Sequence, residues 1–116
     1  MIVEGQIHGG VAQGIANALY EAVVYDDDGN ILTGSLADYF VPTMAEIPRL
    51  EIHHLATLTE ASVTGAKGVG EGGTVASTPT VMNAILDALA PLGVTDVPMP
   101  ATAERIWRAM RELTRG

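Results

Sequence analysis

Ten consecutive residues, Gly65-Ala66-Lys67-Gly68-Val69-Gly70-Glu71-Gly72-Gly73-Thr74, hold five glycines and a single carboxylate. A run of this kind suits neither a regular strand nor a helix interior, because glycine loses more backbone freedom on folding than any other residue. What it does permit is unusual backbone conformations and close approach of the chain to a ligand. The run lies just ahead of an apolar segment with helical spacing, so it reads as a loop that brings Glu71 to a helix N-terminus. A lone Glu there is badly placed for packing and well placed for chemistry. Glu71 is the first candidate catalytic residue.

Two nucleotide-binding readings of the loop fail. Residues 68–73 formally match G-x-G-x-x-G, but a dinucleotide fold needs a buried strand immediately before the motif. Glu60-Ala61-Ser62-Val63-Thr64 is a poor candidate for one, and Glu71 would put negative charge into a phosphate cradle. A P-loop requires Lys-Ser/Thr where Gly70 is followed by Glu. A base suits the position better. A helix dipole favours a carboxylate near the N-terminus, a water-poor cavity opposes it, and a group balanced between the two can take a proton from a bound hydroxyl.

The remaining chain divides into helical and extended signals. From His8 to Val23 an apolar stripe of Val11, Ile15, Ala18, Leu19 and Ala22 predicts a helix. Gly9, Gly10 and Gly14 in it imply a ligand or a neighbouring backbone close by. Asp27-Asp28-Gly29 between Ala22–Tyr25 and Ile31–Thr33 is a hairpin signal, and its adjacent aspartates lack the spaced ligands of a calcium loop. Beyond the bracketing Pro42 and Pro48, Arg49 to Thr57 alternates as a strand, with Leu50 and Ile52 on one face. His53 and His54 would then point to opposite faces, so no histidine-based metal site is expected. Val81, Ile85, Ala88 and Leu89 mark a second helix, with Thr78-Pro79 in its first turn and Pro91 and Gly93 ending it. Thr102 caps a last helix on Ile106, Met110 and Leu113. The expected fold is α+β, one domain over residues 1–116: a glycine-containing helix, a small, mainly antiparallel strand set, the glycine-rich loop and two C-terminal helices.

Composition narrows the partners. Hydrophobic residues make up 47% of the chain and charged residues 17%, below the roughly 25% of an average domain. This points towards burial against something larger. A net charge of −8 with six basic residues opposes nucleic-acid binding. The absence of cysteine excludes thiolate metal sites, Fe–S ligation and a Cys nucleophile on this chain. No apolar run approaches the ~18 residues of a membrane span, and no cleavable leader is apparent, so a cytoplasmic location is expected.

Several motifs in order then carry a resemblance. Val3-Glu4-Gly5-Gln6-Ile7-His8-Gly9-Gly10-Val11-Ala12-Gln13-Gly14, followed by Ala18-Leu19-Tyr20-Glu21, resembles a signature of the molybdenum hydroxylases, the xanthine dehydrogenase, aldehyde oxidase and carbon monoxide dehydrogenase large-subunit family. Asp38-Tyr39 with Pro42-Thr43 is similar to the next element, and residues 65–71 to the family's active-site loop. The likeness continues into Pro100-Ala101-Thr102-Ala103-Glu104-Arg105-Ile106-Trp107. It implies that Glu71 is the catalytic base of a hydroxylation with water as oxygen source, in which hydride leaves an electron-poor carbon. In the carbon monoxide branch, where the substrate has no C–H bond, that hydride step would not apply. It also implies that Gln6 hydrogen-bonds molybdopterin and that the backbone of Lys67, Gly68, Val69 and Gly70 lies beside the cofactor. Gln13 belongs to the signature without an assigned contact.

The resemblance covers only the C-terminal end of much longer subunits. It therefore implies that the molybdenum–molybdopterin cofactor is held only with the rest of the large subunit, and that Fe–S and FAD modules are separate partners. The chain alone would be inactive. A second expectation is a catalytically silent domain that self-associates through its uncovered apolar surface.

Overall fold

The computed structural model describes residues 1–113. Its centre is a pair of long helices, α1 (Ile2–Leu19) and α2 (Gly72–Leu89). A 3-10 turn (Ala90–Leu92) and a third helix, α3 (Ala103–Leu113), follow. Helix α1 carries four glycines, each costing about 1 kcal/mol relative to Ala in a helix interior. Two of them face α2 at backbone distance. A Cβ on Gly10 would lie 2.9 Å from Gly73 C and Thr74 N, and one on Gly14 would overlap the Ser77 side chain and reach Thr78 N at 2.9 Å. On the opposite helix, a Cβ on Gly73 would lie 2.8 Å from the Ile7 carbonyl oxygen. Glycine here removes the spacers that normally hold helices apart. The neighbouring backbone that the α1 glycines imply is therefore α2, at Gly10 and Gly14, whereas Gly5 and Gly9 face open space.

Hydroxyls stitch the same contact. Ser77 Oγ shares its one proton between Thr74 O at 3.1 Å and the Gly10 carbonyl at 3.4 Å, and Thr78 Oγ1 donates to Gly14 O at 3.3 Å. Beyond it, Ala101 N donates to Ala18 O at 2.6 Å, tying the end of α1 to the segment before α3. Leu89, Val94, Val97 and Ala101 form the main buried cluster, covered by Met82, Ile85 and Leu86 of α2 and Ile106, Ala109 and Met110 of α3. Ile106 and Met110 of the expected α3 stripe thus pack against the core, partly buried, while the Leu113 side chain lies outside the described residues. Thr102 Oγ1 accepts from Arg105 N at 3.4 Å, the expected cap.

Three expectations need correction. Helix α1 starts six residues before His8 and stops at Leu19, where Tyr20 N and Glu21 N both bond Ala16 O and end the repeat. Helix α2 starts at Gly72, so Pro79 is interior rather than in the first turn. Packing on α1 offsets a helix start made of two glycines, and the hydroxyls of Ser77 and Thr80 bond the Thr74 and Ala76 carbonyls beside the proline-broken repeat. Finally, the strand set is not formed among the described residues. Of the α+β expectation there remain three α-helices and one isolated antiparallel bridge, Tyr25 to Ile31. A strand needs a neighbour for its backbone groups, and residues 49–57 run extended without one.

The hairpin turn itself forms as expected. Asp26 N donates to Asn30 O at 2.9 Å, Leu32 N donates to Val24 O at 2.8 Å, and Gly29 takes a φ of 82°. Asp26 Oδ1 accepts from Asp28 N and Asn30 N, and the Asn30 side-chain amide, with those backbone donors, holds this carboxyl below its usual range. The Asp38-Tyr39 element folds back on the end of α1. Tyr39 OH donates to Glu21 Oε2 at 2.8 Å, and the Phe40 ring meets Tyr20 at 5.3 Å.

We expect Gly10→Ala or Gly14→Ala to destabilise the chain by about 1–3 kcal/mol through overpacking. Gly5→Ala should be neutral or stabilising by up to about 1 kcal/mol, and denaturant titration separates the two groups. The hydrogen bond to Glu21 raises the Tyr39 pKa above its ordinary value. A raised folded-state value means that this contribution is complete below pH ~10 and is lost as pH rises through the folded pKa. Thermal melts of Tyr39→Phe should show lower stability at neutral pH and a shallower alkaline decline.

Candidate functional site

The glycine-rich loop leaves the extended segment, turns twice and enters α2. Gly65, with φ 68°, makes the first turn, its N–H bonded to Ser62 O and its carbonyl accepting from Thr59 N. Lys67 Nζ donates to Thr57 Oγ1 at 2.7 Å, so the ammonium clamps the loop to the preceding segment. Gly72 N then bonds Val69 O at 3.2 Å, closing the turn that carries Gly70 and Glu71.

Glu71 occupies the N-cap of α2. Its carbonyl accepts from Thr74 N and Val75 N, starting the helix, but its side chain makes no capping bond. The carboxylate is exposed, near the positive end of the helix dipole. Glu71 thus lies at the helix N-terminus to which the sequence assigned it, while a water-poor cavity around it is not supplied by the described residues.

Gln6 comes to the same place from the other helix. A Cβ on Gly70 would sit 3.9 Å from Gln6 Nε2, so the amide lies against the loop one residue before Glu71. Gln6 is exposed, and an amide both donates and accepts. A Cβ at Gly68 or Gly72 would meet nothing within 4 Å. Bare backbone at both positions faces open space. The structure thus brings Gln6 against Gly70, one residue before the exposed Glu71, with Val69 partly buried and the Lys67 side chain bonded to Thr57.

Sequence reasoning left some residues without a role. Gln13 Oε1 accepts from Thr74 Oγ1 at 3.5 Å, bracing the start of α2. Ser77 and Thr78 set the helix contact, and their signal was a small-residue stripe facing the α1 glycines. His8 borders two open grooves between α1 and residues 44–52, of about 640 and 470 Å³. Gln6 and Glu71 line neither groove. Among the described residues no group of three or more His, Cys, Asp or Glu side chains is placed to hold a metal ion. No helix among them is long and apolar enough to cross a membrane.

Comparison with known proteins identifies relatives of the chain. Residues 1–48 match the family described as a molybdopterin cofactor-binding domain. The chain is 45% identical over 112 residues to the carbon monoxide dehydrogenase large chain of Hydrogenophaga pseudoflava, covering 97% of this chain and 14% of that protein. Identity is 46% over 110 residues with the nicotine 6-hydroxylase large subunit of Paenarthrobacter nicotinovorans, covering 95% and 14%. The solved structure of a reconstituted CO dehydrogenase from Oligotropha carboxidovorans superposes with a TM-score of 0.93 at 39% identity, covering 99% of this chain and 14% of that one. The chain spans about one seventh of the length of these relatives.

Proposed function

The chain belongs to the molybdenum hydroxylase large-subunit family, and on that premise we propose that it forms one wall of a molybdopterin site. In this reading Glu71 is the catalytic base, and the domain is completed by the remainder of the large subunit. The observation that carries it is the meeting of Gln6 with the Gly70-Glu71 turn across two helices in backbone contact.

The residues present fit such a cofactor. Gln6 offers a donor and an acceptor together, and the bare backbone at Gly68 and Gly72 leaves room for a flat ligand to approach. Gln6 and the backbone of Lys67, Gly68, Val69 and Gly70 would hold it. When bound, the cofactor supplies the two-electron redox chemistry by which oxygen from water is introduced into a substrate.

The chain's own share is proton handling and placement. Glu71 Oε accepts the proton of the oxygen nucleophile, from the N-terminal end of α2 where its side chain makes no capping bond. The loop positions that base against Gln6, and the Lys67–Thr57 clamp limits its movement. Water exclusion falls to the missing wall. Relatives named for carbon monoxide and for nicotine share this segment, so substrate choice is assigned to residues elsewhere in the subunit.

The surface supports completion by a larger body. The accessible area is 8727 Å², against about 6,000 Å² for a compact chain of this mass. The radius of gyration is 18.1 Å, against about 13 Å. Leu36, Met44, Leu55 and Leu58 stand mostly exposed. The excess area is on the scale of a permanent subunit contact. Separate Fe–S and FAD modules that carry electrons away, and a cytoplasmic location, belong to the same proposal.

In the complete large subunit, Glu71→Gln should lower turnover by at least about 10²-fold, as loss of a general base does, with molybdenum content unchanged. Equal turnover would remove Glu71 from this role. Gln6→Ala should instead reduce molybdenum per subunit, read by mass spectrometry, and full retention would leave Gln6 with a structural role alone. A metal-free chain that binds only itself would favour the silent, self-associating alternative.

A further inference from the structure

Residues 49–57 carry the alternation of a strand and follow an extended path, yet among the described residues none of their backbone N–H or C=O groups is bonded to protein. Nine residues of unpaired extended backbone form a template for another strand. The segment is nonetheless held in place. Leu50 and Ile52 are half-buried along the grooves beside His8 and Gly5 of α1, and Thr57 is fastened by Lys67. On the alternate face Leu55 is 97% exposed. One face therefore borders α1, while Leu55 on the other face and both backbone edges are open.

We propose that residues 49–57 form a β-strand paired by backbone hydrogen bonds with a strand from the remainder of the large subunit. The solved relative selects that partner over a second copy of the chain. The superposition with the solved relative includes 99% of this chain, so the extended path persists where the other six sevenths of a large subunit are present. The side-chain anchors at Leu50, Ile52 and Thr57 hold the segment but leave its backbone groups without partners among the described residues. Strand addition supplies its missing partners directly, and the alternating face carrying Leu55 comes to lie against the completing body. The inference rests on the family reading above and extends it to the means of assembly.

Residue-resolved hydrogen exchange on the complete large subunit tests it, with molybdenum content and turnover measured on the same sample. Amides of residues 50–57 should exchange at least about 100-fold more slowly than exposed turn amides, the contrast expected between paired and open backbone. Protection at every second amide marks one paired edge and unbroken protection marks two, and both support the proposal. Protection with neither pattern, or exchange as fast as at Asp27, overturns it. Protection that appears in the chain by itself and rises with its concentration assigns the edge to a second copy, which also overturns it. Fast exchange in a molybdenum-loaded, active sample would remove the strand and leave the site reading intact. Slow exchange in a molybdenum-free, inactive sample would remove the site reading and keep the strand.

Discussion

The placement of Gln6 beside the Gly70-Glu71 turn depends on a backbone-to-backbone contact between helices that are more than fifty residues apart in sequence. Gly10 and Gly73 meet where any side chain would collide. The contact brings the first turns of α1 beside the loop that starts α2, and hence Gln6 beside Gly70. Four helix glycines are an intrinsic loss for α1, of about 1 kcal/mol each. The return at Gly10 and Gly14 is a separation short enough for Ser77 and Thr78 to donate to main-chain carbonyls across the interface.

Away from this contact the molecule thins out. Among the described residues the main cluster joins the end of α2 to α3, and the chain from Glu21 to Gly70 is held by bonds such as the Asp26–Asn30 turn, the Glu46 carboxylate accepting from Thr43 N and Oγ1, the Tyr39–Glu21 contact and the Lys67–Thr57 clamp. Such bonds fix local shape without burying much apolar area. The result is a well-formed helical ridge and an open flank carrying exposed leucines. The division matches a segment whose core is shared with another body.

What could be read from the sequence follows the range of the interactions involved. The Gly65–Glu71 loop, the Asp-Gly turn, the Gly93 stop and the Thr102 cap are local devices, and each lies where its residues indicated. Helix starts were less legible. Gly72-Gly73 looks like loop in isolation and becomes helix because α1 accepts it at close range. Pro79 marks a first turn on propensity, but two hydroxyls and the same contact tolerate it inside. Strand pairing was the least legible, since alternation over Arg49–Thr57 records a face to be buried and says nothing about which neighbour supplies it. The meeting of Gln6 with Glu71's loop came only from the ordered family motifs, because no spacing rule links residues 65 positions apart.

The Gly14–Ser77 contact has a consequence for descent. Two helices share room there for a single small side chain, and Ser77 occupies it. Neither position can enlarge by itself, but the volume can change owners: a serine at 14 facing a glycine at 77 fills the same space from the opposite side. Lineages carrying this ridge should drift at these two sites as a linked pair, and a step at one opens a short interval in which only the matching step at the other restores the fit.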